Sequence, residues 1–379
     1  MIDKEITVYT IGDSNSAKTW SNVPYFFTKT LEAKGIKINR VNLEENRSFQ
    51  LAYKYSVYLF LKAFFPKNTH NYFRSGLNHY FTNQKIKKAI QDFPNSQANV
   101  FLSYSFSAKH LSPLPCILFG DWTYLYFIQN LEQRKPYWFE RKALRREKQN
   151  IEQADQVLSL FPKSSAFISQ NFKRAPAHYL GNVVNTEKQP DALELMDKKL
   201  MSKRLLFIGG KKYKQAALQL IQAFNELNES ELHEAELHLI GLNTEDLGLQ
   251  NSKAVFFHGY LDKQSESQNN LYYTLLSSAR GIINTQKTWG AFSALTEAMY
   301  FYTPVICQPF EEFTETYGKT CDFGYYVPDD SVQHLKAVLV QVLAQNEEEL
   351  VRQMKSAHHK TQDFTWENYA KRFLELLSK

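Results

Sequence analysis

Residues 205–224 read LLFIGGKKYKQAALQLIQAF. The apolar run Leu205 to Gly210 has the length of a buried strand, and the apolar positions of AALQLIQAF, Ala216 to Phe224, recur at helical spacing. Gly209, Gly210 and three lysines join the two, so the stretch is one strand, one loop and one helix. Similar short apolar runs recur at Ile6–Gly12, Ile36–Leu43, Ala98–Ser105, Cys116–Asp121 and Gln156–Phe161, and again at Ala235–Gly241, Val255–Tyr260, Arg280–Thr285 and Pro304–Gln308. Helical segments separate most of them. This alternation predicts βα units and parallel sheets rather than a sandwich or a bundle.

A chain of 379 residues exceeds what one core supports, and the runs fall into two groups, so two parallel-sheet α/β domains are expected. The polar stretch Thr186–Lys203 reads as the connection between them. FTWENYAKRFLELL, Phe364–Leu377, carries an apolar stripe at helical spacing and needs a surface to pack on. A composition of 43% hydrophobic and 22% charged residues excludes a disordered or coiled-coil chain. No apolar run is long enough to span a membrane, and MIDKEITVYT lacks the marks of a secretory leader. The three cysteines, Cys116, Cys307 and Cys321, fit neither a disulfide framework nor a metal pair, which points to a reducing, cytoplasmic setting. No His, Cys, Asp or Glu cluster has metal-ligand spacing, so no metal is expected.

Charge is unevenly divided. Up to Thr186 there are 25 Lys+Arg against 13 Asp+Glu, and beyond it 20 against 26. A basic half suits an anionic partner. Nucleic acid is disfavoured because no helix-turn-helix, zinc-finger or RNA-binding aromatic motif accompanies the basic residues. The stretch Leu51–Arg74 interleaves aromatics with Lys54, Lys62, Lys67 and Arg74. Two readings stand: an amphipathic helix lying on an anionic membrane surface, or a core helix with snorkelling lysines.

Ligands of doubly wound sheets bind beyond the carboxyl ends of strands. In GGKKYK the glycines allow close backbone approach, and Lys211, Lys212 and Lys214 are suited to a diphosphate; a solvated loop is the plain alternative. In TWGAFSALTEAM the N–H groups of Ser293, Ala294 and Leu295 can hold a phosphate and the Glu297 carboxylate the hydroxyls of a ribose, or Glu297 only complements the helix dipole. Asp121 ends a strand, where it can meet a sugar hydroxyl or take a proton, though Asp is also a common turn residue. His110 lies in the loop after the preceding strand, and His258 reads as structural.

These segments resemble the GT-B-fold glycosyltransferases, specifically the retaining enzymes of glycosyltransferase family four, or glycosyl transferases group 1. FIGGKKYKQAALQLIQAF (207–224) is similar to the opening of that family's nucleotide domain, and VFFHGYLDK (255–263) to its next strand and loop. TWGAFSALTEAMYFYTPVI (288–306) is the most specific match; FGYYVPDDSVQHLKAVL (323–339) and FTWENYAKRF (364–373) resemble the tail. GDSNSAKTWSNVPYFFTKTLEAKG (12–35) matches more loosely.

The resemblance implies two Rossmann-like domains facing each other across a cleft. Residues 1–186 would hold the acceptor, 187–363 the nucleotide sugar, and 364–379 a helix crossing back to the first domain. It implies transfer, with retention, from a UDP- or GDP-linked sugar to a glycan, lipid-linked or small acceptor, with no further cofactor. The setting would be cytoplasmic or peripheral on the inner membrane face, in cell-surface polysaccharide or glycoconjugate synthesis. Carried over, Glu297 would bind the donor ribose and Lys214 and Lys211 the diphosphate, with Gly209, Gly210, Ser293, Ala294 and Leu295 around them and Gly12 lining the cleft. Asp121 stands near where members place a histidine facing the donor sugar. Trp289, with Gly290 on the donor side, occupies the position where the pattern has a sugar-contacting glutamate, and Lys214 stands one residue further than usual from Ala223-Phe224. The first departure keeps a second reading open: a fold relative that binds a nucleotide or a partner without transferring sugar.

Overall fold

The computed structural model describes residues 4–16, 18–227, 234–249, 254–286 and 292–378. The chain forms two compact units, Met1–Asn182 with Trp366–Lys379, and Val183–Thr365. The divisions thus fall at 182/183 and 365/366 rather than at 186/187 and 363/364.

The first unit is built on a six-stranded sheet, β1 (Glu5–Thr10), β2 (Lys37–Asn42), β3 (Asn99–Phe101), β4 (Cys116–Gly120), β5 (Gln156–Ser159) and β6 (Ala177–Tyr179). Its order is β2-β1-β3-β4-β5-β6 and every pairing is parallel. All six residues of β1 and all five of β4 are buried, as expected of strands covered on both faces. β2, at the edge, is only partly buried and carries Lys37 and Arg40.

Helix Val23–Ala33 starts on Pro24, whose missing N–H costs nothing in a first turn, and buries Val23, Phe27 and Leu31 along one stripe. Against that stripe lies helix Trp366–Leu377, with Trp366, Tyr369, Ala370 and Phe373 inward. The Phe27 ring is 5.1 Å from Phe373 and 5.6 Å from Phe119 of β4. The closing helix therefore packs within the first unit.

The second unit repeats the plan with β7 (Arg204–Ile208), β8 (Glu236–Ile240), β9 (Val255–Phe257), β10 (Ala279–Asn284), β11 (Val305–Cys307) and β12 (Gly324–Tyr326), in the order β12-β11-β10-β7-β8-β9, all parallel. Helix Lys214–Asn225 covers one face through Ala217, Leu220, Ile221 and Phe224.

The stretch read as a connection, 186–203, is not structureless. Its centre is helix Ala192–Leu200, N-capped by Asp191 and tied to the second sheet by the fully buried Lys199. That ammonium donates to Leu276 O at 2.7 Å, Thr303 Oγ1 at 2.8 Å and Ala279 O at 3.2 Å. Nor is Leu51–Arg74 one core helix. Helical structure runs from Arg47 to Phe64 and lies mostly exposed, and a separate short turn covers Tyr72–Arg74.

Candidate active site

Each sheet has one place where the strand order reverses, and there the loops beyond the carboxyl ends diverge and leave a crevice. In the first unit the place lies between β1 and β3. A pocket of about 200 Å³ sits there, lined by Ile11 and Trp20 after β1, Leu102 to Ser105 after β3, and Gly120 to Trp122 after β4, with Arg74 and Glu147 behind.

Gly12 stands one residue beyond Ile11 at φ 100°, a conformation suited to glycine, and its N–H donates to Asn42 Oδ1 at 3.0 Å. The loop then takes Trp20, Ser21 and Asn22 through φ of 38°, 50° and 71°. Three successive left-handed residues without a glycine store strain of order 1 kcal/mol each, and they bring Trp20 to the pocket wall.

Asp121 is the acid of this pocket. Burial pushes its carboxyl up to about 6, while the Trp122 N–H at 2.9 Å, the Trp20 side chain and the positive charge of Arg74 restrain the rise. Arg74 lies 3.5 Å above the Tyr124 ring and 3.9 Å from Glu147 Oε2. Glu147 accepts from Tyr124 N–H at 2.5 Å and Ser105 Oγ at 3.3 Å, and burial raises its carboxyl too. Deeper in, Glu140 pairs with Arg134 through two bonds of 2.7 Å and accepts from Tyr124 OH at 2.9 Å. The pocket can thus hold a hydroxylated ligand, and Asp121 changes charge just below neutral pH.

In the second unit the reversal lies between β7 and β10. Gly209, Gly210, Lys211 and Lys214 follow β7, and helix Phe292–Tyr300 follows β10, so two of the segments singled out in the sequence flank one crevice. Gly209 donates its N–H to Ile240 O at 2.9 Å, and a Cβ there would stand 2.7 Å from the Tyr213 ring; at Gly210 the space is open. Lys211 reaches Asp246 Oδ1 at 2.8 Å, so its charge is partly answered within the protein. Lys214 is exposed on the first turn of helix Lys214–Asn225. Ser293 is exposed, Ala294 half-buried and Leu295 buried, and N–H groups of a helix's first turn lack partners inside the helix. At the end of β10 the buried Thr285 hydroxyl meets no partner among the described residues. Trp289 and Gly290 lie outside the described residues.

Glu297 is buried, and its oxygens are taken. Oε1 accepts from Lys263 Nζ at 2.5 Å and Tyr273 OH at 3.0 Å; Oε2 accepts from Lys263 Nζ at 2.7 Å and Tyr272 OH at 2.9 Å. A carboxylate has about four lone-pair sites, so a ribose would meet a filled acceptor. Burial, and then the charge of Glu297, push both tyrosine hydroxyls above their usual range, which keeps them protonated donors.

Sequence reasoning did not find Lys263, Tyr272 and Tyr273, nor Trp20, Arg74 and Glu147. Lys263, at the end of VFFHGYLDK, and Trp20, within residues 12–35, lay in segments given only for their likeness, and Arg74 entered only as a basic residue of the aromatic stretch Leu51–Arg74. His258 has the structural place expected of it, its Nε2 2.9 Å from His238 Nδ1.

Residues 189–361 match the family described as Glycosyl transferases group 1. No curated protein sequence matches the chain. In structure the chain is similar to sucrose-phosphate synthase from Thermosynechococcus elongatus, with TM-score 0.67 and 15% identity over 99% of this chain and 98% of that one. It is similar also to WaaG, a glycosyltransferase involved in lipopolysaccharide biosynthesis, with TM-score 0.63 and 15% identity over 98% and 100%. A third likeness is to S. aureus TarM, solved with UDP, fondaparinux and α-GlcNAc-glycerol, with TM-score 0.56 and 12% identity over 79% of this chain. There the chain spans only 59% of the other protein's length. The chain is thus a GT-B-fold protein that carries a glycosyl transferases group 1 domain.

Proposed function

We propose that the protein transfers a sugar from a UDP- or GDP-linked donor to a hydroxyl of a glycan, lipid-linked or small acceptor, with retention of anomeric configuration. The observation that carries this reading is the pairing, at the reversal point of the second sheet, of the Gly209–Lys214 loop with the start of helix Phe292–Tyr300, inside the segment that matches the group 1 family. In the reaction the bond from the anomeric carbon to the phosphate oxygen breaks, and the acceptor oxygen bonds to that carbon on the same face. The acceptor's proton passes to the departing phosphate oxygen. Lys214, Lys211 and the N–H groups of Ser293 to Leu295 stabilise the charge on the leaving diphosphate. Asp121 meets a sugar hydroxyl in the pocket of the first unit. The UDP and glycan ligands of TarM and the lipopolysaccharide role of WaaG support a nucleotide-sugar donor and a part in cell-surface glycoconjugate synthesis.

One departure favours a second reading, nucleotide or partner binding without transfer: Trp289 stands where the family's pattern has a sugar-contacting glutamate. Thermal unfolding with UDP, GDP, ADP and CMP and their sugars separates the two, because a ligand of the native state raises the midpoint by mass action. Transfer requires one nucleoside diphosphate to stand out and its sugar to be turned over, with turnover lost in Lys214→Ala. A midpoint shift without turnover leaves the second reading, and no shift with any nucleotide removes the donor site.

A further inference from the structure

The helical turns Arg47–Tyr53, Lys54–Tyr58 and Leu59–Phe64 follow one another without a break, started by Asn46, whose side chain accepts from the Ser48 N–H at 3.0 Å. At about 1.5 Å per residue they make a rod about 27 Å long. It has almost no core face: Leu61 is buried, Tyr53 and Tyr58 are half-buried, and the rest is exposed. Tyr55 is 68% exposed, Phe60 65% and Phe64 67%, with Leu51, Val57 and Leu59 exposed beside them. The apolar surface continues past the rod, since the Phe49 ring lies 5.4 Å from Phe81 of helix Gly76–Asp92, where Leu77 and Tyr80 are also exposed. Single apolar residues on a surface need no explanation, but a continuous set of this size does.

Charge selects what covers it. Between Glu45 and Asp92 the chain has no acidic residue, and Arg47, Lys54, Lys62, Lys67, Lys85, Lys87 and Lys88 are all exposed. A second copy of the chain would set these like charges against one another. A nucleic acid would use the cations and some rings but not the aliphatic Leu51, Val57 and Leu59. A bilayer with anionic headgroups takes both, with rings and aliphatics at headgroup depth and ammonium groups on lipid phosphates. Among the described residues no helix is long and apolar enough to cross a membrane, so the contact is with its surface. We propose that this exposed rod, through the rings of Phe60 and Phe64 and the ammonium groups of Lys54 and Lys62, docks the first unit on an anionic lipid surface. It stands whether or not the protein transfers sugar.

The test is co-sedimentation of the full chain with vesicles of phosphatidylcholine alone or mixed with phosphatidylglycerol. Binding is expected only to the mixed vesicles, weakening as salt screens the headgroups. Both Phe60→Ser/Phe64→Ser and Lys54→Gln/Lys62→Gln should weaken it by about tenfold or more. All four side chains are exposed, so circular dichroism should show the variants folded. No binding to mixed vesicles at low salt overturns the proposal. So does equal binding by the variants, and so does a concentration-dependent dimer abolished by Phe60→Ser/Phe64→Ser, which would make a second copy the occupant.

Discussion

Lys263 Nζ lies 2.5 Å from Glu297 Oε1 and 2.7 Å from Oε2, so one ammonium closes both oxygens of a buried carboxylate. Lys263 also stands 4.2 Å over the Tyr272 ring and 5.3 Å over that of Tyr273, the two residues whose hydroxyls fill the remaining acceptor sites. Lys263 comes from the loop after β9 and the tyrosines from helix Glu266–Ser277, so Glu297 joins three elements of the second unit. A donor ribose would gain this carboxylate only by displacing Lys263 or one of the two tyrosine hydroxyls.

Removing one partner of such a pair leaves the other buried and uncompensated. Lys263→Met and Glu297→Gln should each destabilise the protein by about 3 kcal/mol, and the double variant by clearly less than their sum. Urea unfolding of the three variants measures the coupling; strict additivity would mean the ion pair contributes nothing. Calorimetry adds a functional arm. If the ribose contact is real, Lys263→Met binds the nucleoside diphosphate more tightly and Glu297→Ala more weakly. Unchanged affinity in Glu297→Ala removes that contact.

Asp121 makes a prediction about pH. Its carboxyl is raised from 3.8 to about 6, chiefly by burial, so the native state holds a proton that the unfolded chain has already lost. Native stability tied to this group is therefore full below about pH 4 and is lost as pH rises through about 6. Asp121→Asn keeps an acceptor for the Trp122 N–H and cannot ionise, so its stability relative to the parent should rise by about 2 kcal/mol between pH 4 and pH 7. Unfolding midpoints at the two pH values check this. An unchanged difference would mean that Asp121 titrates as an exposed carboxylate.

Legibility followed the physics of each element. Ten strands were readable: the eight inside the two sheets because a parallel strand covered on both faces is buried along its length, as EITVYT and CILFG are, and the edge strands β2 and β9 from their short apolar runs alone. β6 and β12 were not, since AHY and GYY are three-residue edge strands with mostly half-buried side chains. The helix inside the presumed connection was hidden by its own charge: nothing in DALELMDKKL says that Lys199 will be fully buried on two carbonyls and a hydroxyl. That Gly209 to Lys214 form one βα loop after β7 could be read from spacing. The partners of Glu297 could not, because only packing brings Lys263, Tyr272 and Tyr273 to it.

Gly209 and Gly210 are adjacent, yet the structure asks different things of them. A Cβ on Gly209 would lie 2.7 Å from the Tyr213 ring and 3.1 Å from that of Phe207, both in the core, so Gly209→Ala must push rings apart and should cost about 1–3 kcal/mol. A Cβ on Gly210 meets nothing within 4 Å, and its backbone, φ −86° and ψ −167°, suits any residue. Gly210→Ala should therefore leave stability within about 0.5 kcal/mol of the parent. That silence makes it the cleaner probe of the loop. If a diphosphate approaches this backbone closely, as the donor reading requires, the added methyl weakens nucleotide binding in a protein that unfolds as before. Undiminished affinity in Gly210→Ala would move the phosphates away from this loop and leave Gly209 as a packing residue alone.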